Sequence, residues 1–216
     1  MIIYIIEKNN RVNQLELKSL EAEKDRYKIE NAYLLVQMNP HLLFNSLSFI
    51  YNSVRKVSPE AAKGVVILSD IMRHVLSGPD ENGLILIDSE IDHINKLIEI
   101  SRLRFQNDFY LSFNVNGVWD NVKIPPLILV TFVENLLKHG DLTESLSPGV
   151  INLEINPENI LFSTQNLIKK TDLSYSTRIG INNAKLRLDS YFGQERYQLD
   201  FQKTINSYNI MLNIKL

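Results

Sequence analysis

Residues 125–140 read Pro-Pro-Leu-Ile-Leu-Val-Thr-Phe-Val-Glu-Asn-Leu-Leu-Lys-His-Gly, and this stretch decides the fold of the second half of the chain. The two prolines introduce an apolar helix from about Leu127 to Lys138, because proline is favoured in the first turn of a helix. On this helix Asn135 lies one turn before Lys138 and His139. An amide oxygen, an ammonium and an imidazole therefore converge on one side of the helix.

The polar face of this helix has two interpretations. An amide oxygen suits Mg²⁺, and a lysine supplies a positive charge to a phosphate. A solvated polar face that ends at a helix stop, Gly140, fits the spacing equally well. The spacing alone leaves both interpretations open.

Strand patterns surround this helix. Alternating apolar and polar residues predict strands near 111–115, 150–154, 161–165, 197–202 and 208–214. The turn Asn156-Pro157-Glu158-Asn159 joins two of them into a hairpin, and a helix follows Gly180. Residues 168–178 are polar and without a pattern, which is typical of a loop. Helices on one side of a mostly antiparallel sheet make this half an α+β sandwich.

The first hundred residues show only helical patterns, and the longest of them runs from about Lys8 to Gln37. No proline or glycine interrupts this stretch, and charges of both signs are interspersed with apolar residues. Its apolar seam includes Asn10, Lys24 and Asn31, which lower the stability of a coiled coil while they fix its register. The stretch fits a modest two-stranded coiled coil, with a single amphipathic helix packed on its own domain as the alternative.

Three further helices are predicted in this half. Apolar residues at helical spacing continue after Pro40, so we expect a kink or a helix that restarts with this proline in its first turn. Ser58-Pro59-Glu60 combines a cap with a proline at the first helical position, and Gly78-Pro79 ends that helix. The third helix opens at Asp88 or Ser89.

Composition excludes several classes of function. The 216 residues hold 23 Lys and Arg against 25 Asp and Glu, so no global basic field is available to bind nucleic acid directly. The chain has no cysteine, which excludes disulfides, thiol nucleophiles and cysteine-based zinc sites. The apolar residues 1–6 are far fewer than the ~20 that span a bilayer. They fit the cytoplasmic end of a longer membrane helix or an apolar helix start.

Residues 39–45 read Asn-Pro-His-Leu-Leu-Phe-Asn and set one histidine beside a proline. A neutral imidazole that is presented to solvent can act as a nucleophile toward a phosphoryl group. For His41 taken alone, a packed or hydrogen-bonded structural ring is the more frequent situation.

Residues 178–188 read Arg-Ile-Gly-Ile-Asn-Asn-Ala-Lys-Leu-Arg-Leu. Gly180 follows a polar loop and precedes a helix, and backbone donors at a helix N-terminus favour phosphate. A single glycine is explained equally well by packing at the helix start.

Together, residues 39–45, 125–140 and 179–188 resemble the LytS/YehU-type sensor histidine kinases. The cytoplasmic part of these proteins joins a phosphoacceptor helix region to a GHKL-type ATP-binding domain. Their first motif reads Asn-Pro-His-Phe-Leu-Phe-Asn, and only Leu42 differs here. Their ATP-binding motif, Glu-Asn-x-x-Lys-His-Gly, is matched in full by residues 134–140.

The resemblance implies the architecture of the whole chain. The expected fold is α+β, with an N-terminal helical dimerisation and phosphoacceptor region followed by a GHKL, Bergerat-type α/β sandwich. Residues 1–37 are the expected membrane-proximal coiled-coil helix, and residues 38–106 the helical dimerisation and phosphoacceptor region. Residues 107–216 are the expected ATP-binding catalytic domain.

The resemblance also implies which residues act. His41 is the expected phosphoacceptor, which attacks the γ-phosphate of ATP and passes the phosphoryl group to an aspartate of a response regulator. Asn45 and Glu134 complete the expected catalytic set, and Asn135 is the expected Mg²⁺ ligand. The expected ATP-binding residues are Asn135, Lys138, His139, Gln165, Asn166, Gly180 and Asn182.

Two departures from the family pattern motivate a rival interpretation. Where relatives often carry an acidic residue on the strand that reads adenine, residues 163–167 read Ser-Thr-Gln-Asn-Leu, and Gln165 lacks the carboxylate. The glycine box keeps only Gly180, and Arg178 restricts the approach of the backbone to phosphate. The rival is a dimeric, kinase-like scaffold that binds nucleotide poorly. A GHKL ATPase without a phosphoacceptor is a weaker third interpretation.

The resemblance finally implies the partners of the chain. It favours a homodimer on the cytoplasmic side of the bacterial inner membrane, attached through a span outside this sequence. Its expected partner is a response regulator of the LytTR DNA-binding type, while the chain itself binds no nucleic acid.

Overall fold

A computed structural model gives the structure of the protein and describes residues 39–105, 108–169 and 179–216. The chain divides into two compact units, residues 1–53 and residues 54–216. The long helix predicted before residue 38 lies outside the described residues, as does most of the predicted loop before Gly180.

The described part of the first unit belongs to helix α1, which spans Pro40–Val54. Asn39 adopts a positive φ of 40°, and its side-chain oxygen accepts a hydrogen bond from the Leu42 N–H at 3.3 Å. Pro40 occupies the first helical position, where its missing N–H has no intrahelical partner to lose. A helix that starts at this proline, one of the two predicted outcomes, is confirmed.

Two longer helices follow in the second unit, α2 at Pro59–Ser77 and α3 at Ile87–Phe105. Ser58 caps α2, because its hydroxyl accepts a hydrogen bond from the Ala61 N–H, and Gly78 follows the last residue of that helix with a φ of 67°. The predicted cap, start and end of α2 are therefore confirmed, and α3 begins within two residues of its prediction. Among the helices that the structure describes, none is long and apolar enough to cross a bilayer.

The sheet of the second unit has six strands. Its strands are β2 Leu111–Gly117, β4 Gly140–Asp141, β5 Gly149–Ile155, β6 Asn159–Ile168, β7 Tyr197–Lys203 and β8 Ser207–Lys215. The order is β2-β5-β6-β8-β7, with β4 paired to β6, and only β2 and β5 run parallel. The predicted hairpin and the two final strands are confirmed. A separate antiparallel ribbon of β1, Ile85–Leu86, and β3, Lys123–Ile124, has too few residues to show a strand pattern and was not predicted.

Two helices complete the unit, α4 at Ile128–His139 and α5 at Ile179–Phe192. The side chains of α4 pack on the sheet, with the rings of Phe132 and Phe162 6.2 Å apart. Ile94 of α3 and Leu188 of α5 belong to the same buried core. The predicted α+β sandwich is confirmed, and its core lies between the sheet and these three helices.

The start of α4 is held by a carboxylate from another helix. Leu127 has a left-handed φ of 61° and makes no side-chain cap of its own. Glu90 of α3 is fully buried and accepts hydrogen bonds from the Leu127 N–H at 2.5 Å and the Val130 N–H at 3.1 Å. Burial raises the pKa of the Glu90 carboxyl to about 7, and the hydrogen bonds from the helix oppose that rise only in part.

Glu90→Gln removes this titration while keeping an acceptor at the start of α4. Because the pKa of Glu90 in the folded protein, about 7, exceeds its ordinary 4.5, its stabilising contribution is full below that ordinary value and is lost as the pH rises through about 7. We expect the free energy of unfolding of the unaltered protein, relative to the variant, to fall by up to about 3 kcal/mol from about pH 5 to about pH 8. Denaturant titrations across this range measure the difference.

The difference in the free energy of unfolding between the two proteins isolates the contribution of Glu90. Burial lowers the pKa of His93, one turn further along α3, to about 4, and this ring titrates equally in both proteins. A difference in unfolding free energy that stays constant with pH would contradict the assignment.

Candidate functional site

His41 lies in the first turn of α1 with its ring exposed. The amide nitrogen of Asn45, one turn later, lies 3.2 Å from the ring Nδ1 and 3.4 Å from Nε2. An amide can present its nitrogen or its oxygen to a ring nitrogen, and this choice is linked to the ring tautomer. The pair predicted from the sequence is thus in hydrogen-bond contact, at a solvent-exposed helix start.

The second set of predicted residues lies on the last two turns of α4. Glu134 and Lys138 are exposed, whereas Asn135 and His139 are half-buried. Partial desolvation raises the pKa of the Glu134 carboxyl. The carbonyl end of a helix favours cations, so the polar end of α4 offers acceptors for a metal ion beside the charge of a lysine.

The end of α4 is joined closely to strand β6 at Gly140. A Cβ at this glycine would lie 2.5 Å from the Leu136 carbonyl oxygen and 3.1 Å from the Asn166 side chain. Any other residue would therefore force the helix end and the strand apart. The fold brings Asn166 to the end of α4 through this close approach.

Lys169 strengthens the same junction. Its N–H donates to the His139 carbonyl oxygen at 3.2 Å, and its ammonium donates to the Lys138 carbonyl oxygen at 3.0 Å. The backbone at the end of α4 is therefore fixed from the side of β6, which limits the freedom of the two predicted phosphate-binding side chains.

Neighbouring residues of β6 point to opposite faces of the sheet. Gln165 is exposed, whereas Thr164 and Asn166 are 1% and 3% exposed on the face that packs against the helices. The hydroxyl of Thr164 and the amide oxygen of Asn166 are buried without a hydrogen-bond partner in the described part of the chain. Of the two residues predicted on this strand, only Asn166 faces α4.

The N-terminus of α5 lies against the middle of α4. A Cβ at Gly180 would be 3.4 Å from the Thr131 methyl group, one turn before Asn135. Asn182 is exposed. The predicted glycine-box residue and the predicted metal ligand therefore lie on adjacent surfaces of two packed helices.

A cavity of about 330 Å³ opens beside this contact, between α2, α3, α4 and α5. Its walls are formed by Ile71, Met72, Val75, His93, Leu97, Leu127, Val130, Thr131, Glu134, Gly180, Asn183 and Arg187. Apolar side chains line the part formed by α2, and further apolar side chains come from α3 and the start of α4. The polar side chains are those of His93, Thr131, Glu134, Asn183 and Arg187. The cavity can admit part of a small ligand to the carboxyl group of Glu134.

Comparison with known proteins finds chains that are similar to this one. A family model described as histidine kinase matches residues 29–109. The sensor protein LytS of Oceanobacillus iheyensis is 33% identical over 143 residues, which are 65% of this chain and 24% of that protein. Over these residues the chain is similar to histidine kinases.

One further relative and one solved structure are also similar to this chain. The sensor histidine kinase BtsS of Escherichia coli is 34% identical over 107 residues, 50% of this chain and 19% of that protein. The solved histidine kinase AdeS of Acinetobacter baumannii matches with a TM-score of 0.45 and 11% identity, over 81% of this chain and 84% of that one. The chain spans about a quarter or less of the length of the curated relatives it matches.

The structure places most of the predicted nucleotide-binding residues on or beside α4. Glu134, Asn135, Lys138 and His139 lie on that helix, and Asn166 and Gly180 lie beside it. His41 and Asn45 belong to the first unit, residues 1–53.

Sequence reasoning gave no role to three side chains at this site. Thr131 and His93 line the cavity, and Thr164 faces the helices from β6. The position of Thr131, one helical turn before Asn135, was the one available signal. His93 and Thr164 are brought there by long-range packing that no local pattern predicts.

Proposed function

We propose that the chain is the cytoplasmic part of an ATP-dependent protein-histidine kinase of a two-component system. The observation that carries this proposal is the position of Asn135 on α4 between Gly180, which packs at Thr131, and Asn166, which packs at Gly140. The Glu134 carboxyl group lines the cavity beside them. An amide ligand for a cation, a helix N-terminus for phosphate and a buried polar strand face are the features a magnesium nucleotide needs.

The phosphates of ATP would bind between α4 and α5. The Asn135 amide oxygen would coordinate Mg²⁺, while Lys138 and His139 neutralise phosphate charge. Backbone N–H groups at Gly180 and Asn182, in the first turn of α5, would complete the phosphate site. Catalysis in phosphoryl transfer consists largely of such positioning and charge neutralisation, and does not require a strong acid or base.

The base of the nucleotide would bind against the buried face of β6. Thr164 and Asn166 hold unpartnered polar atoms in the described structure, and an unsatisfied buried acceptor costs about 1–3 kcal/mol. A ligand edge with an amino group, such as adenine, removes this cost by donating to the Asn166 oxygen. Gln165, on the exposed face, is the less favoured candidate for this role.

His41 would receive the γ-phosphoryl group. A lone pair of the neutral ring forms the N–P bond, and the bond to the departing oxygen breaks so that ADP leaves with its electron pair. The Asn45 amide nitrogen lies 3.2 Å from Nδ1. A flip of this amide would place its oxygen there, so that the ring would keep its proton on Nδ1 and Nε2 would attack. The first turn of α1, capped by Asn39, offers the positive end of a helix to the new phosphoryl charge.

The proposed partners follow from the same activity. The phosphoryl group would pass to an aspartate of a response regulator, for which the LytTR type remains the expectation. Leu42 and Phe49 of α1 are 62% and 73% exposed two turns apart, which supports a homodimer that covers them. Attachment to the cytoplasmic side of the inner membrane, through a span outside this sequence, completes the proposal.

Replacement of the phosphoacceptor tests the proposal directly. We expect the unaltered chain, incubated with magnesium and γ-labelled ATP, to gain an acid-labile label, and His41→Gln to gain none. The matched control is His74→Gln, because His74 lies on α2 of the other unit and its ring packs on His93. Label retained in the His41 variant would disprove the assignment.

The two neighbouring residues of β6 provide a second, matched pair of variants. Because Asn166 faces α4 and Gln165 faces solvent, we expect Asn166→Ala to weaken ATP binding about tenfold and Gln165→Ala to change it less than about twofold. Competition against a fluorescent nucleotide measures both. The reverse order would return the base-binding role to Gln165, and no binding by the unaltered folded chain would favour the non-catalytic scaffold.

A further inference from the structure

Three helices meet at the turn that precedes α4. Glu90 of α3 accepts hydrogen bonds from the N–H groups of Leu127 and Val130. Arg187 of α5 donates from Nη1 to the Pro126 carbonyl oxygen at 2.9 Å. The backbone of residues 126–130 is thus hydrogen-bonded to a carboxyl group of one helix and to a guanidinium group of another.

Burial of a carboxyl group costs free energy unless its oxygens accept hydrogen bonds. Glu90 is 0% exposed, and a buried carboxyl group is tolerated only where hydrogen bonds satisfy it. Helices ordinarily begin with a side-chain cap from the residue before them, and the residue there, Leu127, has none. The cap comes instead from Glu90, which is distant in sequence. It therefore fixes α3 against α4 and also caps the N-terminus of α4.

Helices α4 and α5 connect this turn to Asn135 and Gly180, the residues on the two sides of the proposed nucleotide site. Asn135 lies about two turns further along α4, and Gly180 lies about two turns before Arg187 on α5. A helix of this length transmits a shift at one end to the other. A displacement of the turn therefore changes the separation of the two groups that face the phosphates.

We propose that Glu90 and Arg187 are positioning residues, which hold α4 and α5 at the separation that Asn135 and Gly180 need to bind a magnesium nucleotide together. This inference rests on the proposed function, and it assigns the residues that set the geometry of that same site. Neither residue touches the nucleotide in this account.

The protonation state of Glu90 can be used to test this positioning role, because few charged groups surround its carboxyl group. The Arg187 guanidinium on α5 is the charge that lowers the pKa of this carboxyl, while α4 contributes only backbone N–H groups. On α3 itself, Asp92 follows Glu90, and burial keeps His93 neutral by lowering its pKa. Protonation of Glu90 favours folding because the carboxyl group is buried, but protonation or replacement by glutamine turns one of its two acceptor atoms into a donor. It therefore opposes one of the two hydrogen bonds that hold the turn.

The test compares Glu90→Gln with Glu99→Gln in the 216-residue chain. Glu99 lies on the same helix but forms an exposed ion pair with Lys63, so its variant controls for the loss of one acid on α3. Calorimetry with magnesium and ATP gives the dissociation constant of each folded protein. We expect Glu90→Gln to weaken binding about tenfold and Glu99→Gln to change it less than about twofold.

Amide resonances without nucleotide separate this inference from the proposed function. We expect Glu90→Gln to shift the backbone resonances of Asn135 and Gly180 as well as those of Leu127 and Val130. Arg187→Met should shift the same set, and the double variant should add little, because both residues act through one turn. Shifts confined to Leu127 and Val130 would overturn the positioning role, even if ATP binds.

The pH dependence of ATP affinity separates the positioning role from a purely structural one, which would not change with the protonation of Glu90. The association constant of the unaltered chain for ATP exceeds that of Glu90→Gln in this account. We expect the ratio of the two constants to fall toward one as the pH drops below about 7. A ratio that is independent of pH would overturn the proposal. If the unaltered chain binds no ATP while the resonances move as expected, the proposed function fails and the positioning of α4 against α5 stands.

Discussion

The burial of helix α4 is the constraint on which the rest of the structure depends. Five of its apolar side chains are at most 1% exposed: Ile128, Leu129, Phe132, Val133 and Leu136. Each contributes about 1.5–3 kcal/mol when it leaves water, compared with about 0.5–1.5 kcal/mol for a typical hydrogen bond. Because this apolar face is fixed against the sheet, the remaining face of the helix must carry its polar residues toward α5 and the end of β6.

The proposed functional residues are concentrated where this packing is interrupted. At one end of α4 a buried carboxylate replaces the missing cap, and at the other end Gly140 lets a strand approach the helix. Between them, β6 buries two polar side chains whose oxygens have no partner in the described residues. Such departures from an apolar core are costly, and in an enzyme they are expected where a ligand or a precise geometry compensates for them.

Local sequence signals predicted most of the fold. Ser58-Pro59 located a helix start, and the turn at 156–159 located a hairpin, because both signals act over a few residues. The side of β6 that faces the helices was not predicted, since a strand shifted by one residue exchanges its faces and only packing decides between them. The Glu90 cap was also not predicted, because its partners on α4 are distant in sequence and an isolated glutamate in a helix pattern is usually solvated.

The most direct test of the central claim is a calorimetric titration of the chain with ATP, in the presence and absence of Mg²⁺. The account predicts a magnesium-sensitive dissociation constant in the range of about 1–100 μM, a typical affinity for a small-molecule site, and its loss in Asn135→Ala. Asn114→Ala, on the sheet strand β2 away from α4, should bind like the unaltered chain. A folded protein that releases no heat with millimolar ATP would contradict the account.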